Sequence, residues 1–127
     1  MAHGDITHID IPVSDLTAGA AFYSGLFGWQ IAEIPGFEGY PMWQAPNQIS
    51  GGGLAPAGQG LDHPRSYVEV DSIDEVLAKA EARGATVVMP KTPISDTSWF
   101  AAFNDPDGND IGLYEGATDT AEREGEA

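Results

Sequence analysis

The pattern of apolar and polar positions near the N-terminus predicts a strand followed by a helix. Residues 6–13 (ITHIDIPV) alternate between apolar and polar side chains, which is typical of a half-buried strand. Residues 14–28 then carry apolar side chains at helical spacing, with Ser14 or Asp15 as the N-cap and Gly28 as the C-cap. The segments WQIAEI, YPMWQA and ISGGGLA, separated by glycine and proline, predict three short strands after this helix.

The second half of the chain repeats this order. RSYVEV predicts a strand, and DSIDEVLAKAEARG predicts a helix that begins with a capping box formed by Ser72 and Glu75. The segments TVVMP, SWFAAFN and DIGLYE predict three further strands. An Asp-Pro-Asp-Gly turn at residues 105–108 joins the last two of them.

A shift of 57 residues aligns the two halves element by element. We therefore predict an α+β fold made of two βαβββ modules, residues 5–57 and 64–116, within one domain over residues 1–116. Each module is apolar on its helix face and needs another sheet or a ligand to cover the other face of its strands. Side by side, two such modules form a curved mixed sheet around a cup. Residues 117–127 predict an acidic, flexible tail.

The opening HIDIPVSDLTAGAAFYSGLFGW and the closing FNDPDGNDIGLYE resemble the vicinal oxygen chelate superfamily. This superfamily contains glyoxalase I, extradiol dioxygenases, fosfomycin-modifying enzymes and bleomycin-binding resistance proteins. The resemblance extends over residues 5–116 and implies the same fold of two βαβββ modules around a cup. It also implies a homodimer.

In metal-dependent members, the ligands come from the first and last strands of each module. His8 matches the first of these ligands, whereas the matching place in the second module is Arg65, whose guanidinium cannot ligate a metal. The terminal glutamate position is Gly112, and its counterpart falls within residues 50–54, where no acid or imidazole is present. With one ligand of four retained, we expect a metal-free protein without a cofactor, and we do not expect glyoxalase or extradiol chemistry.

Alternation along the strands predicts which side chains enter the cup. They are His8 and Asp10 from the first strand and Arg65, Tyr67 and Glu69 from the fifth. An apolar pocket with a few converging polar groups is the usual small-molecule site, and aromatic residues beside turns complete it. The predicted ligand-binding residues are His8, Asp10, Trp43, Arg65, Tyr67, Glu69, Trp99 and Tyr114.

Three functions remain open at this point. The first is metal-free binding of a small aromatic or cationic molecule. The alternative is a divalent-metal-dependent lyase or dioxygenase in which His8, Asp10 and Glu69 hold the ion and leave one position open. The third is a domain whose main role is self-association or regulation. The sequence assigns no catalytic residue.

Three further features carry structural predictions. Glycines 51–53 are not followed by the Lys-Ser/Thr of a phosphate loop, so we interpret them as a bulge or a place where another group approaches the backbone. Glu115 is interpreted as a solvated carboxylate at the end of the last strand. Phe22, Tyr23 and Phe27 on the first helix are expected in the core.

Charge and composition narrow the range of partners. The 127 residues include 20 acidic and 5 basic side chains, for a net charge of −15, which disfavours nucleic acids and anionic membrane surfaces as partners. There is no cysteine, so disulfides and thiolate chemistry are excluded. The N-terminus has neither the basic region nor the long apolar stretch of a signal peptide, and we expect a cytoplasmic protein.

Overall fold

The structure, a computed structural model, describes residues 2–58 and 61–116. The chain divides into two compact units. Among the described residues, the N-terminal unit lies within residues 7–65, and the C-terminal unit combines residues 2–6 with residues 66–116. The tail predicted at residues 117–127 lies outside the described residues.

The N-terminal unit follows the predicted order of one strand, one helix and three strands. Its elements are β1 (Ile6–Val13), α1 (Leu16–Phe27), β2 (Gln30–Ala32), β3 (Met42–Gln44) and β4 (Gly51–Pro56). The strands lie in the order β2-β3-β4-β1, with β1 and β4 parallel and the other pairs antiparallel. Parallel pairing of β1 with β4 needs a crossover connection, which the helix and the two short strands between them provide.

The C-terminal unit repeats the arrangement. Its elements are β5 (Arg65–Glu69), α2 (Ile73–Ala82), β6 (Thr86–Ser95), β7 (Ser98–Asn104) and β8 (Asp110–Gly116). The strand order is β5-β8-β7-β6, with β5 and β8 parallel. The predicted α+β class with two βαβββ modules is therefore confirmed.

Strand β6 is longer than the predicted TVVMP segment because it continues past two prolines. Pro90 and Pro93 are accommodated because β6 is the last strand in its order and its pairing with β7 has register shifts. Proline cannot donate a ladder hydrogen bond, so edge strands and irregularities are where it is tolerated.

The predicted helix caps are present. The Asp15 side chain accepts a hydrogen bond from Ala18 N at 2.9 Å, and Gly28 ends α1 with a left-handed φ of 73°. In α2, Ser72 Oγ accepts from Glu75 N at 3.2 Å. These local signals were readable from the sequence because a cap is made by residues three or four positions apart.

The two helices pack differently. In α2, Ile73 is fully buried against Val70, Ala101 and Leu113. Helix α1 buries no residue, so the expected core placement of its aromatic residues was wrong for Phe22 and Phe27, which are 60% and 52% exposed. A helix that is apolar on every side gives no periodic signal to say which face turns inward. No helix among the described residues is long and apolar enough to cross a membrane.

Candidate functional site

A compact polar cluster in the N-terminal unit joins two side chains of β1 with Tyr40, which lies just before β3. His8 Nε2 lies 2.7 Å from Asp10 Oδ1 and 2.6 Å from the Tyr40 hydroxyl oxygen. The Tyr40 hydroxyl donates a hydrogen bond to the same oxygen of Asp10. The His8 and Asp10 side chains share one face because they are two positions apart on a strand.

The side chains of His8 and Asp10 are largely shielded from solvent. The His8 side chain is 25% exposed and the Asp10 side chain 12%. A carboxylate, an imidazole and a phenol within hydrogen-bonding distance of each other can accept a proton, donate one, or orient a polar group of a bound molecule. His8 and Asp10 were predicted as site residues, whereas Tyr40 was not.

Tyr40 reaches Asp10 because the strand beside β1 has no side chain there. Gly53 is the cross-strand partner of Asp10. A Cβ on Gly53 would lie 2.1 Å from Tyr40 Cζ and 2.2 Å from its hydroxyl oxygen, so the ring occupies the space of the missing side chain. The glycine run had indicated that another group approaches the backbone. The group at Gly53 is the protein's own Tyr40.

Gly52 likewise leaves space for a second contact, because it has no side chain. A Cβ there would lie 1.8 Å from the carbonyl oxygen of Ile9 and 2.8 Å from the indole nitrogen of Trp43. The Trp43 indole N–H donates to the Ile9 carbonyl at 3.3 Å. Trp43 is 6% exposed, so this predicted site residue is buried beside the cluster.

A ladder of stacked rings leads from Trp43 toward helix α1. Trp43 stacks on Trp29 at a centroid distance of 3.9 Å, and Trp29 stacks on Tyr23 at 5.4 Å. Phe27 also contacts Trp29 at 5.3 Å. Fluorescence from this pair of tryptophans will therefore report on changes within the N-terminal unit.

The C-terminal unit also places a tyrosine ring over a glycine, here from the neighbouring strand. Tyr67 on β5 is the cross-strand partner of Gly112 on β8, and a Cβ on Gly112 would lie 2.5 Å from Tyr67 Cδ2. Tyr67 is 7% exposed and covers the glycine. The 57-residue shift aligns Asp10 with Tyr67, and strand register makes their partners, Gly53 and Gly112, counterparts, although the shift along the sequence aligns Gly53 with Asp110.

The remaining predicted site residues fall in both units. Arg65, the last residue before the boundary between the units and the first residue of β5, is 9% exposed, and Glu69 of the C-terminal unit is 1% exposed. Trp99 is half-buried, with Lys91 Nζ 4.7 Å from the centroid of its ring. Tyr114 is half-buried and is the cross-strand partner of Glu69.

Glu115 is not the solvated carboxylate that the sequence suggested. Its side chain is only 17% exposed, and its Oε1 accepts a hydrogen bond from the backbone N–H of Ile73 at 2.8 Å. Its Oε2 lies 3.5 Å from Lys91 Nζ. A carboxylate at a helix N-terminus satisfies a backbone donor and interacts favourably with the helix dipole. Glu115 therefore fixes the start of α2 on the last strand.

The turn before β8 is held by Asp105. Its carboxylate accepts hydrogen bonds from the Asn109 side chain at 2.9 Å, from Asn109 N at 2.8 Å and from Asp107 N at 2.9 Å. Hydrogen bonds from the Asn109 side chain and then from the backbone lower the pKa of Asp105 below its usual value.

Within residues 2–58 and 61–116, no three side chains from His, Asp and Glu form a group that could hold a divalent metal ion. Of the alternative ligand set, His8 and Asp10 lie in the N-terminal unit and Glu69 lies in the C-terminal unit. Three protein ligands are the usual minimum for a catalytic zinc ion.

A model of the Glyoxalase/Bleomycin resistance protein/Dioxygenase superfamily matches residues 5–113. The chain belongs to this superfamily. "Putative glyoxylase CFP32" of Mycobacterium tuberculosis is 29% identical over 114 residues, which cover 84% of this chain and 44% of that protein. The "Anthracycline biosynthesis protein DnrV" of Streptomyces peucetius is 29% identical over 124 residues, covering 84% of this chain and 45% of the relative. The chain thus spans less than half the length of these curated relatives.

Solved structures of superfamily members share the fold. A methylmalonyl-CoA epimerase from Mycobacterium tuberculosis matches with a TM-score of 0.66 at 20% identity, over 94% of this chain and 91% of the other. An Mn(II)-bound glyoxalase from Novosphingobium aromaticivorans matches with a TM-score of 0.64 at 20% identity, over 89% of this chain and 39% of the other. At these identities the comparison concerns the fold and not the reaction.

Proposed function

We propose that this member of the superfamily binds a small organic molecule, aromatic or cationic, without a metal ion. The observation that carries the proposal is the pairing of glycine with tyrosine in both modules. Gly112, at the position where the superfamily's metal-dependent members place a glutamate, and its counterpart Gly53 are covered by the rings of Tyr67 and Tyr40. The glycine side chain offers no ligand atom, and in each module a tyrosine ring occupies the space of the missing side chain.

The polar cluster supplies the contacts that orient the ligand. Asp10 is an acceptor and, in a chain of net charge −15, favours a positively charged or hydrogen-bond-donating group. His8 and Tyr40 each carry a group that donates or accepts. The name of the Streptomyces relative, an anthracycline biosynthesis protein, is consistent with a polycyclic aromatic ligand.

The first test is metal content, measured by elemental analysis of protein purified without chelator and then offered zinc, nickel, manganese and iron. We expect no stoichiometric metal. One ion per chain that is lost in His8→Ala would overturn the metal-free proposal and favour lyase or dioxygenase chemistry.

The second test is a fluorescence titration with an anthracycline, which is aromatic and cationic. The net charge attracts any cation, so the titration is done at 150 mM and 500 mM NaCl, where long-range attraction is screened. Saturable binding that persists at high salt and is weakened about tenfold or more by Asp10→Asn would support the proposal, because a hydrogen bond to a charged group contributes about 1.5–3 kcal/mol.

Asp96→Asn is the matched control. It removes the same charge from an exposed turn and leaves the cluster intact. Equal weakening by both variants, or binding that disappears at 500 mM NaCl, would show that the ligand responds only to net charge and would contradict the proposed site.

A further inference from the structure

The carboxylate of Asp10 is held through one of its two oxygens. Oδ1 lies 2.7 Å from His8 Nε2 and also accepts the hydrogen bond of the Tyr40 hydroxyl. Within residues 2–58 and 61–116, no group donates a hydrogen bond to the other oxygen, Oδ2. Oδ2 is not a fully buried atom, although Asp10 as a whole is 8% exposed. The two oxygens of this carboxylate therefore have different roles.

The contacts with His8 and Tyr40 fill the acceptor positions of Oδ1. A carboxylate oxygen accepts about two hydrogen bonds. An ionised carboxylate only accepts, so the proton between His8 Nε2 and Oδ1 belongs to the imidazole, and Nε2 is the donor. The Tyr40 hydroxyl supplies the second proton. Oδ1 therefore has no position left for a ligand, whereas no described residue uses the positions of Oδ2.

Tyr40 is fixed in a way that preserves this arrangement. Its ring fills the space above Gly53 where a side chain would otherwise lie. The carbonyl of the next residue, Pro41, accepts a hydrogen bond from Leu54 N at 2.8 Å, which ties this part of the chain to β4. The ring also stacks on His8, with the centroids 6.2 Å apart and the planes 22° from parallel. Because packing, backbone and hydroxyl all hold Tyr40, we expect it to stay on Oδ1 when a ligand binds.

We infer that Oδ2 of Asp10 binds a single donor group of the ligand, and that His8 and Tyr40 select this kind of donor by occupying Oδ1. The inference rests on the proposed function and narrows the ligand to an aromatic molecule that carries an alkylammonium group, which points one N–H at one oxygen. A planar amidinium or guanidinium group instead prefers two parallel hydrogen bonds to both oxygens of a carboxylate. At Asp10 its second N–H would lack an acceptor, which costs affinity. His8 and Tyr40 are thus positioning residues.

Isothermal titration calorimetry with two matched probes tests this selection. The probes are 2-naphthylmethylamine and 2-naphthamidine, which share the same ring and the same positive charge. They differ in whether the cation presents one donor at a time or a planar pair of donors. In 500 mM NaCl, where long-range attraction is screened, we expect the wild-type protein to bind the amine about tenfold or more tightly than the amidine.

Tyr40→Phe should reduce this preference. It removes one of the two donors on Oδ1, keeps the ring over Gly53 and returns an acceptor position to Oδ1, so the preference for the amine should shrink at least about threefold. Tyr23→Phe is the matched control, because it removes a hydroxyl of the same unit that bonds to no described residue. The control should keep the wild-type preference. A ratio of two affinities measured on one preparation does not depend on the folded fraction, so a loss of stability alone leaves it unchanged.

Three results would overturn the inference and leave the proposed function standing, because an aromatic cation would still bind the wild-type protein. The first is an amidine that binds wild type as tightly as the amine. The second is a preference that Tyr40→Phe leaves unchanged. The third is loss of both probes in a Tyr40→Phe protein that circular dichroism shows to be folded, since the hydroxyl would then contact the ligand itself. If neither probe binds wild type saturably, the proposed function fails together with the inference.

Discussion

Replacing Gly53 with alanine should expel Tyr40 from the polar cluster. The new Cβ would lie 2.1 Å from Tyr40 Cζ, whereas non-bonded carbon atoms need about 3.5–4.0 Å. The atoms in conflict belong to the end of a side chain, so the ring can swing away while β4 stays paired with β1. Gly53→Ala therefore removes the hydrogen bond from Tyr40 to Asp10 without a substitution at either residue.

The cost can be estimated from the contacts that are lost. Tyr40→Phe removes the hydroxyl bonded to Asp10 and should destabilise the protein by about 1.5–3 kcal/mol, the range for hydrogen bonds to charged groups. Gly53→Ala loses the same bond together with the packing of the ring on the strand, so we expect about 2–4 kcal/mol. In the double variant the bond is lost only once. The two effects should then be non-additive by about 1.5 kcal/mol or more.

Urea unfolding followed by tryptophan fluorescence measures this cycle, because Trp29 and Trp43 report on the same unit. Gly25→Ala is the matched control, since it makes the same replacement on exposed helix α1 where nothing lies within 4 Å of the new Cβ. The control should be neutral or stabilising by up to about 1 kcal/mol. Additivity within about 0.5 kcal/mol would refute the reasoning, because the two residues would then not share an interaction.

Two further predictions concern the C-terminal unit. Glu115→Ala should lower the free energy of unfolding by about 1–2 kcal/mol because Ile73 N loses its acceptor. Glu115→Gln should cost less because the amide keeps an acceptor oxygen. Equal losses of stability for the two variants in urea unfolding would contradict the capping role. Asp105→Asn should destabilise the protein near neutral pH, and this effect should begin to shrink as the pH falls below about 4. A carboxyl with a lowered pKa contributes stability above its unfolded pKa and loses it as the pH falls through the folded one. Chemical denaturation of the wild-type protein and of Asp105→Asn from pH 7 to pH 3 measures the difference in their free energies of unfolding. A difference that does not change with pH would show that the charge of Asp105 is not what stabilises the turn.

The exposed apolar side of helix α1 shows that predicting where a helix forms differs from predicting which of its sides is buried. The helical spacing, an N-cap at Ser14 or Asp15 and a C-cap at Gly28 were sufficient to predict the helix, and the structure places the N-cap at Asp15. They carry no information about which side is buried, because an apolar helix has no polar side to mark the solvent. The second helix differs, since its charged residues distinguish its outer side from the Ile73 side.

The polar cluster shows the same division within the candidate site. His8 and Asp10 were predicted together because strand alternation is a local rule that places residues two apart on one face. Tyr40 was not predicted, because it comes from a connection 30 residues away and reaches Asp10 only across a third element. The glycine run was interpreted as either a bulge or a place where another group approaches the backbone, and no local pattern could identify the approaching group as Tyr40.

What the sequence determined by itself was the order of elements, their caps and turns, the repeat of the two modules and the superfamily. All of these follow from interactions between residues a few positions apart or from a pattern repeated along the chain. Only the tertiary structure decided that tyrosine rings cover Gly53 and Gly112, that Glu115 caps a helix and that α1 leaves its apolar face exposed. Each of these depends on contacts between distant residues, and such contacts are selected by how the side chains fill space once the strands have paired.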